Sequence, residues 1–138
     1  MPQFDHFIAA QEPVWPQVCA ELQAGRKTSH WMWFVFPQHV ALGRSGMARR
    51  FGLASLAEAV GYAAHPVLGP RLLQATRLVL AVQGRSANAI FGAPDDLKLR
   101  SCMTLFQAAV PQQPEFGEVL ARYYGGEPDA QTQALLRT

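Results

Sequence analysis

Three stretches of this chain gather side chains able to do chemistry. The first, residues 26–38, reads Arg-Lys-Thr-Ser-His-Trp-Met-Trp-Phe-Val-Phe-Pro-Gln. Trp31 and Trp33 offer flat faces on which a base or another planar group can stack. Lys27 and Arg26 can meet a phosphate, one as a point charge and the other as a planar fork. His30 is a candidate general acid or base, provided it lies in a cleft. The Gln38 amide completes the set. The plainer reading is a core aromatic segment with His30 bonded to backbone.

The second stretch, Leu42-Gly43-Arg44-Ser45-Gly46, is a small cationic loop followed by Arg49 and Arg50. Glycines let backbone N–H groups approach an anion closely, which makes Arg44 and Ser45 candidate ligand contacts. The loop lacks the Gly-Lys-Ser/Thr ending of a P-loop, and Ser45 does not stand in a Gly-x-Ser-x-Gly elbow. It also reads as a loop with no ligand. The third stretch holds Asp95, Asp96, Lys98, Arg100, Ser101 and Thr104. On a helix, Lys98 and Ser101 are neighbours, and positions 96, 100 and 104 form a second polar row. Asp96 is a candidate catalytic carboxylate, and Lys98 and Ser101 are candidate ligand contacts. Simple capping of a helix by Asp95 or Asp96 is the alternative. His6, His30, His39 and His65 form no His-x-x-x-His pair and have no cysteine nearby, so no metal and no cofactor is expected.

These side chains need elements to hold them, and helix punctuation recurs along the chain. Asp5 is read as a cap for a short turn through Gln11. Pro13 and Pro16 open a helix carrying Val14, Val18 and Leu22 on one stripe, which Gly25 ends. Ser55 and Glu58 have capping-box spacing before a helix that His65-Pro66 interrupts. Leu72, Leu73, Thr76, Val79 and Leu80 mark the next, up to Gly84. Ser86 caps a turn ending at Phe91-Gly92. Pro94-Asp95-Asp96 opens a helix whose buried side is Leu97, Cys102, Leu105, Phe106 and Ala109, and Pro111 stops it. Phe116, Val119, Leu120 and Tyr123 follow until Gly125-Gly126, and Asp129 caps a last helix through Leu135 and Leu136. Residues 30–36 are apolar after the histidine, so periodicity alone does not separate helix from strand. The aromatics favour strand; Ser29 as a cap and the helical neighbours favour a buried helix, and a buried helix is expected. The fold class expected is mostly α, one compact multi-helix domain over residues 1–138.

The chain has 138 residues, 49% of them hydrophobic and 16% charged, a length and composition for one folded domain. No apolar run approaches a bilayer span, and the first residues lack a secretory pattern. Cys19 and Cys102 are expected to be small buried hydrophobes in a reducing, cytoplasmic setting. The net charge of +2 hides a segregation. Residues 1–21 carry Asp5, Glu12 and Glu21 and no basic residue. Residues 22–94 carry eight Lys or Arg against Glu58 alone, and residues 95–138 return a carboxylate excess. Either the acidic ends fold back onto the basic middle, or the middle forms a positive surface for an anion or a nucleic acid.

At residues 26–38 a resemblance becomes specific, and it extends through Leu42-Gly43-Arg44-Ser45, Glu58-Ala59 to Tyr62, His65-Pro66-Val67-Leu68-Gly69 to Arg71-Leu72, and Asp96-Leu97-Lys98-Leu99-Arg100-Ser101 to Met103-Thr104-Leu105-Phe106. Together these resemble the bacterial family called domain of unknown function 1810. The resemblance covers nearly the whole chain and implies a small, mainly helical cytoplasmic protein with no established activity. The calpastatin label sometimes attached to that family does not suit a chain that is neither disordered nor Pro/Lys-rich. Residues 98–136 also resemble the end of NADAR-type hydrolases, without the Glu-His pair of those enzymes.

Three functions follow as expectations. The leading one is a pocket for an anionic, nucleotide-like small molecule. Lys27 and Arg44 would hold its charge, Trp31 or Trp33 its planar part, and residues 96–101 would orient it, with Gln38 and Ser45 alongside. The second is an N-glycosidic or ADP-ribosyl hydrolase, with Glu58, Asp95 or Asp96 supplying the carboxylate that an oxocarbenium-like centre needs. The third is a non-catalytic interaction module that binds RNA through the basic middle. No residue pattern sets an oligomeric state.

Overall fold

The computed structural model describes residues 2–137. Ten α-helices follow one another through these residues: α1 (Asp5–Gln11), α2 (Trp15–Gln23), α3 (Met32–Val35), α4 (Gly46–Arg50), α5 (Leu56–Ala64), α6 (Leu68–Ala81), α7 (Ala87–Phe91), α8 (Asp95–Ala109), α9 (Glu115–Tyr124) and α10 (Ala130–Leu136). Short 3-10 turns at Pro2–Phe4 and Val40–Leu42 complete the set. The fold is mostly α, as its sequence implies. Among the described residues the nearest approach to a sheet is one isolated parallel bridge, His39 to Leu53. No helix among them is long and apolar enough to cross a membrane.

The punctuation explains most boundaries. Ser55, Ser86 and Asp129 each accept a hydrogen bond from the backbone N–H three residues on, satisfying donors that a helix start leaves open. Ser45 does the same for α4. Asp5 departs from expectation: it lies in the first turn of α1, Phe4 takes the N-cap position, and no side chain caps there. Ser29 does not cap the aromatic helix either. That helix is a single turn starting at Met32, and the Ser29 hydroxyl donates to Glu21 instead.

α8 is the central element, packed against α5, α7, α9 and α10, while α6 packs on α2, α5 and α9. Leu99, Cys102, Met103, Leu105 and Phe106 of α8 are fully buried. Aromatic rings extend this core towards the first helix, with Phe7 and Phe106 on Tyr62 at 5.0 and 5.6 Å between centroids. Leu97 corrects the sequence reading. It falls in the first turn of α8, where the apolar stripe runs past the core, and it is 58% exposed. Cys102 is buried as expected, whereas Cys19 is only half-buried.

Two glycines shape residues 38–53. A Cβ on Gly52 would come within 2.5 Å of the Val40 Cα, so only glycine lets residues 51–53 lie against the 38–42 stretch. That approach is pinned by Val40 N–H donating to Leu53 O at 2.8 Å and Leu53 N–H to Gln38 O at 3.0 Å. Gly43 is likewise spent on packing: a Cβ there would stand 3.0 Å from Ala48. Its bareness serves the fold rather than contact with an anion.

Candidate functional site

The aromatic segment is built around Glu21, a buried carboxylate at the end of α2. One oxygen accepts from the Thr28 and Ser29 amides at 2.8 and 3.0 Å and from the Trp31 indole N–H at 2.9 Å. The other accepts from the Ser29 hydroxyl at 2.5 Å and the Gln17 amide at 2.8 Å. Burial pushes the Glu21 pKa up, but these donors, the Ser29 hydroxyl foremost, outweigh it and hold the carboxyl well below its usual range. Trp31 is sealed at 1% exposure. It offers no face to a ligand.

Lys27 is also committed inside. Its ammonium lies 2.9 Å from Asp95 and 5.1 Å from the centroid of the Trp31 ring, with the side chain 7% exposed. Asp95 is shared with Lys98 at 3.8 Å, and Lys98 in turn lies over the Trp33 ring at 5.7 Å. One carboxylate therefore stands between two ammonium groups, and the trio keeps a net positive charge on the Lys98 side. His30 is exposed and lines none of the four main cavities among the described residues. Asp96 accepts from its neighbour Leu97 N–H and from the Asn88 amide, and it too stays outside these four cavities.

What does converge is the rest of the candidate set. A cavity of about 640 Å³ opens between residues 38–48, the start of α8 and the start of α10. Gln38, Arg44, Ser45, Lys98 and Ser101 line it, so residues 60 apart in sequence meet. Arg44 is exposed and has no ion-pair partner among the described residues. Ser45 faces the cavity while accepting from Ala48 N–H at 3.1 Å, and Ser101 donates to Leu97 O at 3.2 Å. His39 sets the wall: its Nδ1 accepts from Ala41 N–H at 3.1 Å and caps the Val40–Leu42 turn, and burial lowers its pKa.

Leu42, Leu97, Arg100, Asp129 and Gln131 also line this cavity; Leu97 and Arg100 fall in the 96–101 stretch expected to orient a ligand without being singled out as contacts, and sequence reasoning missed Asp129 and Gln131 as site residues. Arg100 donates to Glu127 through its backbone carbonyl at 2.9 Å and its carboxylate at 3.3 Å, and its guanidinium lies on the Tyr124 ring. Asp129 is the cavity's carboxylate, but its Oδ2 is taken up by Thr132 N–H at 2.9 Å and the Thr132 hydroxyl at 2.6 Å. Arg100 had a signal in the polar row of α8. The residues of α10 had none, because no motif ties them to the rest.

Trp33 reaches this region only from behind. A notch beside the cavity, lined by Trp33, Phe36, Gln38 and Lys98 among others, holds about 10 Å³, room for about one water. Glu58, Asp95 and Asp96, the carboxylates considered for hydrolysis, do not line the cavity. A separate groove of about 520 Å³ between α6 and α9 is walled by Leu72, Leu73, Leu78, Val110 and Phe116, and none of the candidate residues reaches it.

The charge question divides. Lys27, Arg71 and Arg77 of the middle pair with Asp95, Glu12 and Glu115 of the acidic ends, at 2.9, 2.6 and 2.9 Å. Arg26, Arg44, Arg49, Arg50 and Arg85 have no such partner among the described residues. The ends do fold back, and they leave Arg44 and the end of α4 uncovered.

Fold and site together define a small, mostly helical domain with a cavity at the meeting of three chain segments, its wall mixing Arg44, Lys98 and Arg100 with apolar side chains. The chain belongs to the family described as Protein of unknown function (DUF1810), whose model matches residues 2–136. It is similar to the conserved hypothetical protein Rv1873 from Mycobacterium tuberculosis, known from a crystal structure. The identity is 54% over 97% of this chain and 96% of that one, with a TM-score of 0.96. No curated protein matches the chain.

Proposed function

We propose that the cavity binds an anionic, nucleotide-like small molecule. The observation that carries this reading is the lining itself: Arg44, Lys98 and Arg100 around about 640 Å³, with a single carboxylate already occupied by its own helix cap. That volume suits a small ligand. Arg44 has no carboxylate partner among the described residues, Lys98 shares Asp95 with Lys27, and Arg100 pairs with the exposed Glu127; a concave wall with such an excess of cations favours phosphate or carboxylate. Gln38, Ser45, Ser101 and Gln131 add neutral hydrogen-bonding groups for orientation. Lys27 and Trp31 drop out of the binding set and support it from beneath, by holding Asp95 and the loop before α3.

The test is thermal stabilisation by nucleoside 5′-phosphates and sugar phosphates at millimolar concentration. At about one hundred times Kd, a ligand adds about 2.7 kcal/mol, or roughly 8 °C in Tm for a domain of this size. Arg44→Ala and Lys98→Met should erase the shift. No stabilisation by any of these compounds removes the reading.

A second reading, contact with RNA, draws on Arg44, Arg49 and Arg50, an exposed run with no carboxylate partner among the described residues. A gel shift that weakens steeply with salt and vanishes in the Arg49→Ala/Arg50→Ala variant would favour it over the pocket. Hydrolysis has less support, since the carboxylate that it needs is available in the cavity only as the capping Asp129.

A further inference from the structure

The cavity does not end at Arg44. A lobe of about 490 Å³ continues from it along α10, lined by Ala41, Leu42, Arg44, Gln131, Ala134 and Leu135. Leu42, Arg44 and Gln131 belong to both spaces. The two parts differ in charge rather than in apolar share. Lys98, Arg100, Ser45 and Ser101 line only the inner part, together with the apolar Ala48, Pro94 and Leu97, whereas the outer lobe adds only Ala41, Ala134 and Leu135 and no cation besides the shared Arg44. Arg44 stands at the junction.

Volumes decide where the flat part of a ligand can go. Trp31 is sealed, and the notch beside Trp33 has room for about one water. A base or phenyl ring does not fit there. The lobe along α10 is large enough for either, and its apolar walls gain by covering one.

Resting on the pocket reading, we infer that the ligand is a phosphomonoester with a flat, largely apolar body: the phosphate seated between Arg44 and Lys98, and the body lying over Leu42 against Ala134 and Leu135 of α10. The tryptophans take no part in stacking. Gln131, at the junction, offers an amide to a polar edge of the body.

The experiment compares binding of inorganic phosphate, ribose 5-phosphate, phenyl phosphate and adenosine 5′-monophosphate by calorimetry. The proteins are wild type, Ala134→Trp and Ala41→Trp. Both alanines are exposed, so an indole at either position fills the lobe without entering the core. Circular dichroism verifies the fold of each variant. In wild type, phenyl phosphate and the nucleotide should bind about tenfold or more tighter than inorganic phosphate. In either tryptophan variant that advantage should vanish while inorganic phosphate binds as before. An advantage that survives both variants, or one lost in Trp33→Phe instead, overturns the inference and leaves the pocket standing. If no phosphate compound binds wild type, the pocket reading falls and this inference with it.

Discussion

Replacing Glu21 by alanine removes the acceptor for five donors at once, and the structure sets what that should cost. The Thr28 and Ser29 amides are part-buried and can turn to water once released. The Trp31 indole N–H is buried and cannot. An unsatisfied buried donor costs about 1–3 kcal/mol, so Glu21→Ala should lose about 3 kcal/mol in all. Glu21→Gln is a finer probe. Its amide oxygen can keep the Thr28, Ser29 and indole bonds, and the Ser29 hydroxyl can rotate to accept. Only the Gln17 amide then meets a donor where it had an acceptor. That variant should lose about 1 kcal/mol. The same carboxylate makes a pH signature. Its folded pKa lies below its ordinary value of 4.5, so the stability it contributes is present above that pH and is lost as pH falls towards the folded value. Urea unfolding followed by tryptophan fluorescence should show wild type and Glu21→Gln converging in stability as pH drops from 5 to 2. A parallel pair of curves over that range, or a loss in Glu21→Ala under about 1 kcal/mol, refutes this account of how the 28–31 loop is held.

Three more expectations are simpler to check. Lys27→Met should destabilise by about 2 kcal/mol in chemical denaturation, because it leaves Asp95 part-buried with only the distant Lys98 as partner. Arg44→Ala should leave the unfolding midpoint within about 0.5 kcal/mol of wild type, since the side chain has no ion-pair partner among the described residues; its calorimetric affinity for a nucleoside monophosphate should fall at least about tenfold. Gly52→Ala should cost about 2 kcal/mol or more, because the added methyl meets the Val40 backbone at 2.5 Å; faster amide exchange in residues 38–43 would locate the damage.

Most of the helical frame could be read in advance because its signals are local. Ser55, Ser86 and Asp129 cap where their side chains reach the next turn's amides, and α9 stops at Gly125. Single-turn α3 could not be read this way, since residues 31–36 are all buried but the half-buried Trp33 and their pattern has no period. The cavity was legible by residue type: Arg44, Ser45, Lys98 and Ser101 are cationic or hydroxyl side chains in small or capped surroundings. Lys27 has the same type, yet its fate depends on Asp95, 68 residues away in sequence, and on the depth of Trp31. Trp31 is held inside by Glu21, a carboxylate on the otherwise ordinary helix α2. The contribution of α10 depends wholly on packing against α8, which no local pattern encodes.

If three separated segments form one ligand site, titrating phenyl phosphate into the labelled protein should produce saturable amide chemical-shift changes concentrated in residues 38–48, 97–101 and 129–135. Shifts clustered instead along the groove between α6 and α9, or around His30, would contradict it.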